Sequence, residues 1–250
     1  MSIVTSFDGG TYKPKPKPFS WSYSKLKNFE ACPKRHYNVD IIKSFKEEEG
    51  EALQWGNAVH KALAARCGPS EVALPKHMSG YEKWCARVTS PGNDPGTPTI
   101  LVEQQLAIDE DFGPTKWFDS DAKKAGLALP WYRGIADVLK FNSIGTAALA
   151  IDWKTGKIID DAPQLALLAA CIFAHHPKVQ KVRSEFIWLK EDASTRQDLA
   201  RAEMAPIWSG LWPRIENLKH AYETLDYPAK PGFLCRRYCP VTSCPHHGEE

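Results

Sequence analysis

Apolar positions along the chain follow two rhythms, one with a helical repeat and one with the repeat of a strand. Ser22 and Ser24 offer N-caps for a helix through SKLKNFEACPKRHYNVDI, with Leu26, Phe29 and Tyr37 on its apolar side. A second helix is predicted for EALQWGNAVHKALAARC, where Leu53, Gly56, Val59, His60 and Leu63 share a face. Residues 67–98 are interrupted by Pro69, Pro75, Pro91 and Pro95, leaving room for one short helix in YEKWCARV. The rhythm changes at Thr99. TILVEQQLAID and WYRGIADVLKF read as strands, and TAALAIDW is apolar throughout, as a central strand is. A helix capped by Asp160 or Asp161, with Pro163 in its first turn, spans DAPQLALLAACIFAHH, and KVRSEFIWL is a fourth strand. From Ala193 to Leu225 the pattern predicts helix again, broken near Pro206 and Pro213. The fold class is α/β, a central sheet with a helical flank.

Ahead of these elements, residues 1–19 predict an extended basic arm. KPKPKP is too dense in proline for a helix or a central strand and favours polyproline II. The remainder, 20–250, is expected to form one domain. Of 250 residues, 43% are hydrophobic and 25% charged, the composition of a water-soluble globular chain. No apolar run approaches the ~20 residues of a membrane span, and the N-terminus lacks the apolar stretch of a signal peptide. A cytoplasmic location is therefore expected, where seven cysteines serve as thiols or metal ligands rather than disulfides. Net charge is only +2, but it is unevenly spread. Residues 1–40 carry seven Lys/Arg against three acids, and residues 228–245 carry Lys230, Arg236 and Arg237 with no acid. Clustered cations suit a phosphate backbone, or simply a solvated tail.

The candidate chemistry lies on two strands. GIAD ends in Asp137, and AIDWKTGK carries Asp152 and Lys154 before a Thr-Gly turn. Period-2 alternation puts Asp152 and Lys154 on one face and Trp153 on the other. If the strands pair as a hairpin, Asp137 comes close to Asp152. Two carboxylates that close call for a cation, and hard oxygen ligands suit Mg²⁺ or Mn²⁺. Without a metal, the plain alternative is a strand-end salt bridge between Asp152 and Lys154. His60 shares its helix face with Gly56, which lets another backbone come close; Glu103 sits in the first strand beside Val102.

Cys235, Cys239 and Cys244 form a near group at the C-terminus. Zinc could be completed by His246 or His247, although the short Cys-x-His spacing makes a cramped tetrahedron. The other available fourth ligand is Cys32, far upstream in ACPKRHY. Cys67, Cys85 and Cys171 lie in helical, partly apolar contexts as buried thiols.

Taken in order, SYSKLKNFEACPKRHY, WGNAVH, GIAD, IDWKTGK and QLALLA resemble RecB-type nucleases of the PD-(D/E)XK superfamily, in particular the iron–sulfur branch with AddB-type recombination nucleases and CRISPR adaptation nucleases. That resemblance implies a restriction-endonuclease-like mixed sheet flanked by helices, with a nuclease core over roughly 99–190. It implies a metal site of His60, Asp137 and Asp152, with Lys154 as catalytic lysine, Gln164 as the glutamine of the following helix, and Glu103 as an acidic residue of the first strand. It also implies a [4Fe–4S] cluster on Cys32, Cys235, Cys239 and Cys244, joining the helical ends at 20–45 and 228–247. Lys34, Arg35, Arg236 and Arg237 would then border one DNA-binding surface. Two positions depart from the pattern. Leu168 stands where the family has a tyrosine four residues after the glutamine, and the C-terminal cysteines are spaced C-x3-C-x4-C rather than C-x2-C with a longer gap. The implied activity is Mg²⁺- or Mn²⁺-dependent exonucleolytic hydrolysis of single-stranded or end-bearing DNA in recombination, repair or replication, alongside a helicase or recombination partner. The alternatives are an inactive DNA-binding or scaffolding subunit with the same fold, and a zinc-binding interaction protein.

Overall fold

Six strands form the centre of the computed structural model, which describes residues 18–47, 50–92, 94, 96–159 and 161–249. The predicted arm up to residue 17, and the alternative cap Asp160, lie outside the described residues. In chain order the elements are α1 (Tyr23–Ala31), α2 (Pro33–His36), α3 (Glu51–Cys67), α4 (Glu82–Thr89), β1 (Thr99–Ile108), β2 (Pro114–Thr115), α5 (Asp119–Lys124) and β3 (Tyr132–Phe141). There follow β4 (Ala147–Lys154), α6 (Ala162–His175), β5 (Lys181–Trp188), β6 (Ala193–Ala200), α7 (Met204–Thr224) and α8 (Phe233–Arg237). The sheet order is β2-β1-β3-β4-β5-β6. All neighbours are antiparallel except β4 and β5, the parallel pair that α6 connects. This is the mixed central sheet flanked by helices that the sequence predicts.

Three expectations need correction. The single helix expected across SKLKNFEACPKRHYNVDI is broken at Cys32, whose φ of −162° and ψ of 108° are extended. Pro33 forces this, because its ring disfavours helical geometry in the residue before it. The chain restarts as α2 with Pro33 in the first turn and ends in a π-helical turn over Tyr37–Ile41. Cys32 is thereby held at a corner between two helices. The second correction concerns Ala193–Ala200, which is a strand and not the start of a helix. Its residues, ASTRQDLA, are mostly polar because β6 is an edge strand with little to bury. The expected breaks are absent too: Pro206 falls in the first turn of α7 and Pro213 inside it, and the helix runs on through both.

Helices cover the sheet from both sides. Leu167, Ile172 and Phe173 of α6 and Leu211, Ile215 and Leu218 of α7 pack with Ala148 and Ala150 of β4. On the opposite face Val59 and Leu63 of α3 and Cys85 and Val88 of α4 pack with Ile151, Trp153 and Ile187. The alternation slips once. On β3, Ala136 packs with the α6 side and Val138 with the α3 side, although both are even-numbered. On β1, Val102 packs with the α3 side and Leu106 with the α6 side. The β1–β3 register keeps one offset, Val102 opposite Val138 and Gln104 opposite Ala136, but is interrupted between them at Glu103 and Asp137, where both strands turn over together. Glu103 sits at the slip with φ of 50°, a left-handed conformation that costs a non-glycine residue on the order of 1–3 kcal/mol.

The next strand opens at the same level. β3 and β4 pair from Phe141 to Val138 and then part. Instead of a ladder carbonyl, Oδ2 of Asp137 accepts the backbone N–H of Trp153 at 2.7 Å. β4 continues against β5 as far as Lys154 opposite Trp188, so it carries its last residues into the gap. A cleft of about 990 Å³ lies there, lined by residues of α1, α3, β1, β3, β4 and α6.

Candidate active site

Asp137, at the point where β3 leaves β4, anchors the site. It is buried, with one carboxylate oxygen on Trp153 N and the other 3.1 Å from Nδ1 of His60. His60 comes from α3, which passes close to the end of β4: a Cβ on Gly56, one turn earlier, would stand 3.4 Å from Oγ1 of Thr155. Glu103 reaches the same point from β1. One donor atom each from His60, Glu103 and Asp137 all lie within 4.8 Å of one another, and this nitrogen-and-carboxylate set could hold a divalent metal ion. The electrostatics suit a cation at this point. Burial and the neighbouring Asp137 push the Glu103 carboxyl up, while the hydrogen bond to Asp137 raises His60.

Asp152 stands beside this set on the α6 side. Trp153 turns into the opposite core, as period-2 alternation requires. Oδ2 of Asp152 accepts from Nε2 of Gln164 at 2.7 Å and from Nζ of Lys154 at 3.0 Å. Lys154 also donates to Oε1 of Gln164 at 3.3 Å and lies 4.6 Å over the Phe186 ring. Acid, amide and ammonium therefore close a triangle at the mouth of α6. Burial lifts the Asp152 carboxyl to about 6; Lys154 pulls it down and Asp137 adds to the rise.

The sign of that shift gives a testable result. An acid whose folded pKa is raised costs stability as pH climbs from the ordinary value of 3.8 through 6, because the folded state gives up its proton later than the unfolded chain. In metal-free protein Asp152→Asn is expected to be more stable than the native chain at pH 8, on the order of 1–2 kcal/mol, with the difference vanishing below about pH 4. Urea denaturation in EDTA at the two pH values measures it. A less stable variant at pH 8 would mean that the ion pair with Lys154 outweighs burial.

Gln164 is held by a contact that periodicity does not reveal. The hydroxyl of Tyr23, on α1, donates to Asp161, the residue that opens α6. Burial and Asp161 push that phenol up to about 12. The signal was present in SYSKL, but a tyrosine beside two candidate caps does not disclose a partner 138 positions away. Tyr23, Lys25, Lys61, Leu53, Trp117 and Ile135 join the lining of the cleft, as does Leu168.

A second convergence lies at the chain ends. Cys32, Cys235, Cys239 and Cys244 all line one small pocket with Lys34, Arg35, His246 and His247. All four thiols are free and half-buried. The ends are tied by the Lys34 N–H donating to the Pro228 carbonyl at 3.2 Å and by Nζ of Lys230 donating to the Glu30 carbonyl at 2.6 Å. His246 is engaged by Glu249 through Nδ1 at 2.6 Å. Among the described residues only His60, Glu103 and Asp137 bring three donor atoms within 4.8 Å, so the thiols spread wider than that. Cys67, Cys85 and Cys171 are buried, as expected. Of the four predicted DNA contacts, Arg35 is largely covered and pairs with Glu47, and Lys34 is half-buried. Arg236 and Arg237 are exposed on α8.

A protein-family model described as the PD-(D/E)XK nuclease superfamily matches residues 20–245. No curated protein matches the chain. Solved structures that match include the protein called SSO0001, 15% identical, covering 92% of this chain and 88% of that one with a TM-score of 0.43. Another is a protein named as a candidate exonuclease from Eubacterium rectale, 10% identical, covering 91% and 90% with a TM-score of 0.48. No helix among the described residues is long and apolar enough to cross a membrane.

Proposed function

The chain belongs to the PD-(D/E)XK nuclease superfamily, and on that footing we propose that it is a Mg²⁺- or Mn²⁺-dependent deoxyribonuclease acting exonucleolytically on single-stranded or end-bearing DNA. The observation that carries this reading is the meeting of His60, Glu103 and Asp137 beside the Asp152–Lys154–Gln164 triangle, in an open cleft. Asp137 and His60 would hold the ion with Glu103 or Asp152; the contacts of Asp152 with Gln164 and Lys154 both fall on Oδ2, which spares Oδ1 for a ligand role. A bound dication would polarise a phosphodiester oxygen and acidify a water. Lys154 keeps an ammonium at the same place to orient that water and to meet charge developing on the phosphoryl oxygens. Gln164 fixes both Asp152 and Lys154, so the pair enters the reaction already oriented. The full set of acids and lysine speaks against an inactive scaffolding subunit.

Within the superfamily we assign the chain to the RecB-type iron–sulfur branch, with Cys32, Cys235, Cys239 and Cys244 holding a [4Fe–4S] cluster. What supports this reading is that all four cysteines line one small pocket. Iron and acid-labile sulfide in anaerobically purified protein support the assignment; stoichiometric zinc without iron contradicts it. Exonuclease action is tested with labelled linear and covalently closed circular single strands. The linear strand is expected to be degraded in Mn²⁺ while the circle persists; equal loss of both would make the enzyme an endonuclease.

A further inference from the structure

Two aromatic rings stand in solvent at α8, away from the cleft. Phe233 is 80% exposed, the most open large apolar side chain among the described residues, and Tyr238 is 67% exposed. On a helix advancing about 100° per residue, Cys235 turns toward the thiol pocket while Phe233 and Arg237, four apart, share the opposite side. Arg236 lies about 60° round from Phe233, while Tyr238, at the C-cap, stands about 140° round, nearer the Cys235 side.

The charge around these rings is of one sign. Lys230, Arg236 and Arg237 carry it, and no acid occurs from residue 228 to 245. An aromatic face beside guanidinium groups is the combination that takes a base and its phosphate. Duplex DNA keeps its bases stacked inside and offers such rings nothing but backbone. The segment is held in place: the Gly248 N–H donates to the Cys235 carbonyl at 2.9 Å, and Lys34 ties α2 to Pro228.

The thiol pocket against which α8 sits lies one length of α1 from the cleft. Tyr23 and Lys25, at the start of α1, line the cleft, and Cys32, just past its end, lines the pocket that Cys235 closes. Nine residues of helix separate the two sites by about 13 Å. Lys27 lies on that path, half exposed at 50% and 3.8 Å from Asp161.

We infer that Phe233, with Arg237 on the same side of α8, forms a stacking platform for an unpaired nucleic-acid strand whose end occupies the cleft, and that this contact favours single strands over duplex. The inference rests on the nuclease reading above and names its substrate class. It is tested in full-length protein carrying Lys154→Met to stop turnover, by anisotropy with labelled oligothymidine and with its oligoadenine duplex. Phe233→Ala is expected to weaken single-strand binding about tenfold, leave duplex binding within about twofold, and leave the salt dependence unchanged. Arg237→Ala is expected to lower the log–log salt slope by about 0.7. The ring is exposed, so unchanged thermal melting confirms an intact fold. Single-strand affinity within about twofold of the parent overturns the platform, and so does equal loss for duplex; the first result would point to a protein as occupant. If the native chain cleaves no DNA in any metal yet the ring variant loses strand affinity, the platform stands and the nuclease reading fails.

Discussion

Lys154→Met is expected to lower DNA cleavage by about 10²–10³ at saturating substrate, with little change in the apparent affinity for DNA. Methionine keeps an unbranched apolar stem and removes the ammonium, with its contact over the Phe186 ring. That ammonium is the cation 3.0 Å from Asp152 and 3.3 Å from Gln164, so no other described side chain takes over its place. Its loss also acts on Asp152. Without Lys154 the carboxyl loses the main influence holding it below the value that burial alone would set. A buried acid left in that state takes up a proton rather than staying charged. The variant should therefore fold, with the Asp152 carboxyl raised further. Single-turnover cleavage and strand binding together check this. A parallel loss of binding would place Lys154 in ground-state contact with DNA instead of at the reacting phosphate.

Asp137 is expected to give the larger effect, and two substitutions separate its two duties. Asp137→Asn and Asp137→Ala should each reduce cleavage by about 10³ or more, since a metal ligand supplies several kcal/mol of transition-state stabilisation. Only alanine should also reduce stability, by about 1–3 kcal/mol, because it strands the buried N–H of Trp153. Asparagine keeps an oxygen for that N–H and so keeps β3 and β4 apart. Urea denaturation beside the cleavage assay distinguishes them. Equal stability of the two variants would mean that the strands part for reasons other than this hydrogen bond.

Much of this arrangement was legible in the sequence because the signals are local. The strands around Asp137 and Asp152, the boundaries of α3 and the opposed directions of Asp152 and Trp153 all follow from periodicity. What escaped is non-local. Alternation holds on each side of Glu103, and only the change of partners between Val102 and Leu106 reveals the slip. A strand pattern cannot show that a glutamate adopts a positive φ, so Glu103 carried less weight than its place in the His60–Asp137 group warrants. β6 was hidden because an edge strand needs little apolar surface. Cys32 shows the reverse case: Pro33 announced the break in the helix, and its consequence, a cysteine at a corner facing the C-terminal thiols, needed the fold.

Time courses on an end-labelled single strand, comparing the native chain with Asp137→Asn in Mn²⁺ and in EDTA, test the central claim most directly. The predicted result is progressive shortening by the native chain in Mn²⁺, none in EDTA, and none by Asp137→Asn in either. Cleavage that persists in EDTA, or that Asp137→Asn performs at the native rate, would contradict it.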